Sequence, residues 1–467
     1  MTALRASRRR IEHWDPEDEE FWERTGKHVA RRNLVLSVLS EHIGFSIWSM
    51  WSVLVLFMSP AIGLGFAPSE KFLLVVTPTL VGALLRLPYS YAVTRFGGRN
   101  WTVFSSVLLF VPALPALYFV QRPGTPLWVF LLIAATAGVG GGNFASSTTN
   151  IAHFFPRRHQ GWALGLNAGG GNLGVAVVQL VGLLVIATAG DTHPAYVIAA
   201  YLPLIALAAV LAALGMDNVD TGPASTGALR EAVGNPHTWW ISLLYLGTFG
   251  SFIGYGFAFG LVLQNQFGAT PLEAAGLTFL GPLLGSLSRP LGGRLADRWG
   301  GARVTLVNFL AMGAGTLGLL VASAHRSQSL FVAVFTVLFV LSGLGNGSTY
   351  KLIPVVFAGQ AEAAVTAGHD ATEAFARARR LTGAVIGIAG AVGALGGVVV
   401  NLAFRASYGS RGTGEPAFWF FLAFYAVCVA VTVLVYLRTP HGAPADDARR
   451  ARPAGHGAAE SSEVTRA

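Results

Sequence analysis

The sequence predicts an all-α membrane protein of twelve transmembrane helices, built as two six-helix halves related by a pseudo-twofold axis along the membrane normal. Three observations predict it. Hydrophobic residues make up 53% of the 467 and charged residues only 12%, about half the charged share of a soluble domain. Apolar runs of the roughly 20 residues needed to cross a ~30 Å hydrocarbon core recur along the chain. Finally, sliding the sequence so that Arg86 falls on Arg289 also lays Arg95, Gly97 and Gly98 on Arg298, Gly300 and Gly301, and Gly140, Gly142 and Asn143 on Gly343, Gly345 and Asn346. An internal repeat in one register, with an even number of spans per half, gives both halves the same orientation.

The expected spans are 34–58, 71–92, 101–120, 127–152, 160–188, 195–215, 237–263, 273–293, 303–324, 329–355, 381–404 and 416–437. Connections are expected to be short except at 216–236 and 356–380. The chain then divides into an N-terminal tail (1–33), a first bundle (34–215), a linker (216–236), a second bundle (237–437) and an Ala-, Pro- and Gly-rich tail (438–467) of disordered composition. The first apolar run, near Asn33, is too long for a cleavable signal. With the N-terminus in the cytoplasm, the outer loops hold only Lys71, Arg122, Arg326, Arg405 and Arg411 of the 32 basic residues. Arg86 and Arg289 lie inside spans, and the rest fall on the inner side. That bias places both termini in the cytoplasm and the protein in the plasma membrane.

The net charge of +9 is therefore a matter of topology, not of nucleic-acid binding. The lone cysteine, Cys428, excludes an intramolecular disulfide and a cysteine metal cluster. No metal or cofactor is expected. There is no phosphate-binding Gly-x-x-x-x-Gly-Lys-Ser/Thr loop and no nucleophile–base pair, so neither an enzyme nor an ATP-driven pump is expected. Movement of a solute would have to run on gradients.

Arg86 and Arg289 carry the chemistry. Each precedes a basic loop residue by about 13 Å of helix, which puts it near mid-membrane. A charge there costs at least about 3 kcal/mol. The arginines must face a polar cavity, and the repeat axis sets them opposite each other. Two guanidinium groups in one cavity repel unless an anion lies between them, and their planar forks suit a flat, oxygen-rich one such as nitrate, nitrite or a carboxylate. The alternative is neutralisation by a buried acid. Glu41 is the acid placed well inside a span, and one carboxylate cannot neutralise both.

Helices four and five are rich in glycine, which weakens a helix by about 1 kcal/mol relative to alanine. Gly161, Gly165 and Gly169 read either as a small-residue face for close helix packing or as a surface along which helix five slides or bends. Asn143, Asn167, Asn172 and Gln179 need partners in lipid, either another helix or a solute. The loop Gly293 to Arg303 carries Asp297 and Arg298 at a tight cytoplasmic turn and reads as a clamp and gating element.

That loop resembles the signature of the major facilitator superfamily; its first-half copy, Ser90 to Arg99, has Thr94 where the second has Asp297. More narrowly, Gly141-Gly142-Asn143-Phe144-Ala145-Ser146-Ser147 through Asn172, Gly345-Asn346-Gly347-Ser348-Thr349-Tyr350, and Thr248 to Gly254 resemble the nitrate signatures of the nitrate/nitrite porter family, over about Arg32 to Arg438. The resemblance implies the major facilitator fold and a nitrate/nitrite transporter; twelve helices in two halves suffice for a monomer. It implies that Arg86 and Arg289 grip the anion, Phe144 and Phe249 sandwich its flat face, Asn172 and Tyr245 add hydrogen bonds, and Gly161, Gly165, Gly169 and Gly174 let helix five move.

Two coupling modes stay open. A doubly positive empty site resists crossing, which favours nitrate/nitrite exchange. Glu41 and His42, inside helix one, are candidate proton carriers for nitrate/proton symport; the alternative is that Glu41 pairs with Arg31 or Arg32. Two other readings are a carrier of another small anion, such as a monocarboxylate, and a membrane sensor built on a transporter fold.

Overall fold

The computed structural model describes residues 10–11, 13–219 and 226–438; the C-terminal tail expected at 438–467 lies outside them from residue 439 onward. Among the described residues twelve long helices run in order, besides a short helix in the linker (Thr226–Gly234): α1 (Glu19–Phe57), α2 (Pro68–Phe96), α3 (Gly98–Phe119), α4 (Leu127–Phe154), α5 (Arg157–Ala189), α6 (Pro194–Gly215), α7 (Pro236–Phe267), α8 (Pro271–Thr278 continued by Leu280–Trp299), α9 (Gly301–Ala324), α10 (Gln328–Thr366), α11 (Ala371–Arg411) and α12 (Glu415–Leu437). Among the described residues, eleven are long and apolar enough to cross a membrane. The eighth, α8, is interrupted at Phe279 and carries Arg289, Arg294, Asp297 and Arg298 in its second segment.

Local chemistry starts and stops these helices. Pro68, Pro194, Pro236 and Pro271 occupy first-turn positions, where a missing N–H costs nothing. Ser327 and Asp370 cap α10 and α11 with side-chain oxygens. Gly97 and Gly300 end α2 and α8 with nearly the same backbone (φ 87°, ψ 148° and φ 86°, ψ 134°), each bonding back to Val93 or Ala296. The repeat seen in sequence is thus a repeat of backbone conformation.

Two boundaries differ from expectation. Residues 356–380 are mostly helix: α10 runs to Thr366 and α11 begins at Ala371, leaving a four-residue turn. Likewise α1 begins at Glu19 rather than near residue 34, passing through a π turn at Trp22–Gly26. Hydropathy reports the thickness of the membrane, whereas alanine-rich, polar sequence continues a helix beyond it.

Exposed side chains such as Leu84, Leu132, Leu184, Leu214, Val307 and Trp419 form the lipid-facing surface. Inside each half, helices approach closely at paired glycines. A Cβ on Gly140 would lie 2.1 Å from the Gly44 carbonyl oxygen, and one on Gly343 would lie 2.0 Å from that of Gly285. The halves meet along α2–α11 and α5–α8. On one side of the membrane they are sealed: Phe72 stacks on Phe404 and Tyr408 at 5.8 and 5.4 Å, and the Gln179 amide donates to the Gly256 carbonyl at 2.7 Å. On the other side, which carries the N-terminal segment, they part around a cavity of about 920 Å³ that reaches Arg86. The linker begins with a two-residue strand, Asn218–Val219, paired with Arg10–Ile11, and Asp217 binds Arg32 and Asn33 at 2.5 and 2.8 Å.

Candidate functional site

Arg86 on α2 and Arg289 on α8 are both buried, at 1% and 8% exposure, and both turn inward. No carboxylate pairs with either among the described residues. Arg86 Nη1 donates to the Gly390 carbonyl on α11 at 2.7 Å; its Nε and Nη2 have no partner. Arg289 Nη2 donates to the Tyr245 hydroxyl on α7 at 3.2 Å, and its Nη1 has none. Buried guanidinium N–H groups without acceptors are costly, and three such nitrogens from two halves make a site short of negative charge and of acceptors. An anion with several oxygens supplies both.

Aromatic rings wall this space. Phe144 and Phe249 face each other across the halves with centroids 6.3 Å apart and planes 30° from parallel. The Arg86 guanidinium lies 4.6 Å from the first ring and 5.1 Å from the second, held in part by cation–π attraction. Tyr245 stacks on Phe249 at 5.1 Å and meets Tyr350 at 4.5 Å, while Arg289 lies 5.2 Å from the Tyr350 ring. Two van der Waals contacts of about 3.5 Å need roughly 7 Å between rings, so a flat guest fits between Phe144 and Phe249 after a small parting.

The four polar residues left open by the sequence divide. Asn167 donates to Glu41 Oε2 at 2.6 Å and to Ser147 at 2.8 Å, and Gln179 joins the two halves, so both are tied to protein. Asn143 and Asn172 are buried with both amide atoms unpartnered. No hydrogen bond joins Asn172 to either arginine.

Glu41 is fully buried. One carboxylate oxygen accepts from Ser147 and Asn167; the other has no partner. It pairs with neither Arg31 nor Arg32, since Arg32 turns to Asp217. His42 Nδ1 lies 3.1 Å from the Gly170 carbonyl on α5.

The glycines of α5 correct one expectation. Gly161, Gly165 and Gly169 are not at a packing interface: a Cβ on any of them would meet nothing within 4 Å. The packed face is offset by one or two residues. A Cβ on Gly170 would strike Val38 at 2.4 Å, on Gly171 the Glu41 carboxylate at 2.1 Å, and on Gly174 the His42 carbonyl at 2.3 Å. Gly165→Ala is therefore expected to unfold no earlier than the parent, since alanine favours a helix, while Gly171→Ala unfolds several degrees lower. Thermal unfolding in detergent checks both; equal melting of the two would contradict the assignment of faces.

Asp297 bonds Lys351 on α10 at 2.7 Å, and the Arg298 guanidinium lies 5.7 Å from the Trp299 ring. The turn after α8 is thus strapped to α10. Two participants in the central site were not singled out in the sequence. Tyr350 ends the motif Gly345 to Tyr350, and the motif alone assigns it no contact. Gly390 is placed so that a Cβ would come 3.3 Å from the Tyr350 hydroxyl and 3.7 Å from Arg86 Nη1; one glycine among many in α11 carries no signal of that.

Known proteins share the sequence family and the fold. The family described as Major Facilitator Superfamily matches residues 43–368. The nitrate/nitrite transporter NarU of Salmonella typhimurium is 41% identical over 448 residues, 92% of this chain and 96% of the relative. The Escherichia coli NarU is 39% identical, covering 92% and 97%, and the probable nitrate/nitrite antiporter NarK2 of Thermus thermophilus is 34% identical, covering 89% and 94%. Among solved structures, a D-xylose-proton symporter superposes with a TM-score of 0.62 at 16% identity over 86% of this chain and 97% of that one. An inward-facing bacterial homolog of the lysosomal transporter Spinster superposes with 0.61 at 16% identity, covering 87% and 97%.

Proposed function

We infer function from membership: the chain belongs to the major facilitator superfamily and, within it, to the nitrate/nitrite transporter family. It is a multi-pass membrane protein that carries nitrate and nitrite, and not an enzyme. The observation that carries the substrate reading is the pair of buried arginines, one per half, with unpartnered N–H groups and no bonded carboxylate. In this reading Arg86 and Arg289 hold the anion's oxygens, Phe144 and Phe249 cover its faces, and Tyr245 and Asn172 bond its edge. A weakly hydrated planar anion tolerates apolar faces once its oxygens are bonded.

Transport follows alternating access. With the N-terminus cytoplasmic, the conformation described here opens inward, and the stacked Phe72, Phe404 and Tyr408 close the outer side. When the inner side closes, the bare face of Gly161, Gly165 and Gly169 receives the opposite half, while Gly174 keeps α5 seated on α1; Asp297 and Arg298 gate the same side. One chain holds a whole site and works as a monomer in the plasma membrane.

For coupling we favour nitrate/proton symport with Glu41 as the proton carrier and His42 beside it. A buried carboxyl bonded only by neutral groups, with one oxygen unpartnered, supports that reading. The arginine pair with no directly bonded carboxylate among the described residues supports the alternative, nitrate/nitrite exchange. Nitrate uptake into vesicles with and without an inward proton gradient separates the two. Wild type is expected to concentrate nitrate when the gradient is applied and Glu41→Gln to lose that stimulation while keeping nitrate/nitrite exchange; full gradient-driven uptake by the variant would remove the carrier role. Competition by unlabelled nitrite but not formate checks the substrate.

A further inference from the structure

The wall of the cavity between its mouth and Arg86 is built largely by α11, and the charges on that wall are not accounted for by the central site. Arg379 and Arg380 both line the cavity, and neither makes an ion pair or hydrogen bond to any described residue. Their neighbours do. Arg377, one turn away on the outer face, pairs with Glu231 of the linker helix (Thr226–Gly234); Lys351 pairs with Asp297; Arg158 lies 3.8 Å from Glu19. These three cationic groups are paired within the protein, whereas Arg379 and Arg380 hold no carboxylate among the described residues and share the cavity lining with one acidic residue, Glu17, on the opposite wall.

Below them α11 carries a second feature. Gly383, Gly387 and Gly390 follow at helical spacing on the face that lines the cavity. A Cβ on Gly383 or Gly387 would meet nothing within 4 Å, and Gly390 offers its carbonyl to Arg86. Arg380 precedes Gly390 by ten residues of continuous helix, about 15 Å. That rise between backbone positions exceeds the ~8 Å screening length of physiological salt, so the mouth and the central arginine act on an anion at different depths of the cavity. Capture at the mouth and binding at the centre are two positions, not one.

We propose that Arg379 and Arg380 form a vestibular capture site for small oxyanions, from which the glycine-floored face of α11 leads to Arg86. The proposal rests on the anion-carrier reading above. Its physical basis is field focusing: uncompensated charges in a cleft with low-dielectric walls raise the local anion concentration and the rate of entry, with an effect that salt erases. At Gly383, Gly387 and Gly390 α11 projects no side chain into the cavity, while Thr382 and Ile386 line it beside them, so an anion drawn to the mouth follows the bare positions.

Two measurements test this, one independent of nitrate. In the first, a cysteine placed at Gly387, halfway down the track, is labelled with an anionic and with a cationic thiol reagent of equal size; Cys428 is buried and does not compete. The anionic reagent is expected to react faster, and Arg379→Ala with Arg380→Ala is expected to lower the anionic-to-cationic ratio about tenfold. In the second, nitrate efflux from loaded right-side-out vesicles is followed at low and high ionic strength. The double variant is expected to show a KM raised about tenfold at low salt, nearly insensitive to salt, with the maximal rate changed less than KM. An unchanged labelling ratio would overturn the proposal and leave the nitrate reading standing. A maximal rate that falls while KM and its salt dependence match wild type would also overturn it, because that is the pattern of a gate contact with Glu17 on the opposite wall. Failure of wild type to carry nitrate would count against the substrate reading alone, since the labelling ratio still decides the vestibule.

Discussion

Arg86→Lys and Arg289→Lys are each expected to lower nitrate transport by at least about 100-fold while the protein still folds. Lysine keeps the charge, so the electrostatic attraction for an anion survives. What it loses is the planar fork. A hydrogen bond to a charged group contributes about 1.5–3 kcal/mol, and two lost or misdirected bonds to one guest therefore cost about 3–6 kcal/mol. At 1.4 kcal/mol per factor of ten, that is 100-fold or more. Arg86→Lys also loses the bond between Nη1 and the Gly390 carbonyl, which ties α2 to α11 across the halves, so it is expected to be the more severe. Arg289→Lys gives up its contact with the Tyr245 hydroxyl inside one half. Uptake in a host lacking its own nitrate carriers measures the effect, with expression and thermal unfolding as the folding check. Near-normal uptake by both variants would contradict a grip that depends on the fork.

The second large effect is structural. Gly140→Ala and Gly343→Ala are expected to destabilise the protein by about 1–3 kcal/mol each, the usual cost of overpacking. The added carbon would lie 2.1 Å from the Gly44 carbonyl oxygen in one case and 2.0 Å from the Gly285 carbonyl oxygen in the other. Both neighbours are backbone, so no side chain can rotate away and the helices themselves must separate. Gly313→Ala is the matched control on α9: its Cβ would stand 3.7 Å from Leu422, an ordinary contact, and alanine's higher helix propensity favours it. Melting in detergent should fall for the first two variants and hold for the third. Equal melting of all three would show that the crossings are looser than described.

Both predictions draw on the internal repeat, and it is instructive where the repeat stops. Arg86 and Arg289 occupy matching positions, and Gly97 and Gly300 share one conformation. Yet Gly140 closes on α1 at Gly44, whereas Gly343 closes on α8 at Gly285. The arginines differ as well: one bonds a backbone carbonyl in the other half, the other a phenol in its own. A pseudo-symmetric frame thus carries an asymmetric set of contacts around the two arginines.

The sequence by itself determined the all-helical membrane fold and the family, and it singled out two charged residues, Arg86 and Arg289, inside apolar runs. These depend on local or one-dimensional facts: a run of apolar residues long enough to cross lipid, a charge where charge is expensive, and motifs in a shared register. Only the tertiary structure decided which faces of the helices touch. Gly161, Gly165 and Gly169 stand bare while Gly170, Gly171 and Gly174 pack, although both sets share one helix and similar spacing. Glu41 turns to Ser147 and Asn167, and Arg32 to Asp217. Tyr350 and Gly390 arrive at the site from α10 and α11. In a chain where nearly every position is apolar or small, hydrophobic patterning cannot tell a lipid-facing side from a neighbour-facing one, because both are equally dry. Contact is then settled by how closely two backbones can approach, and that is a property of pairs of helices.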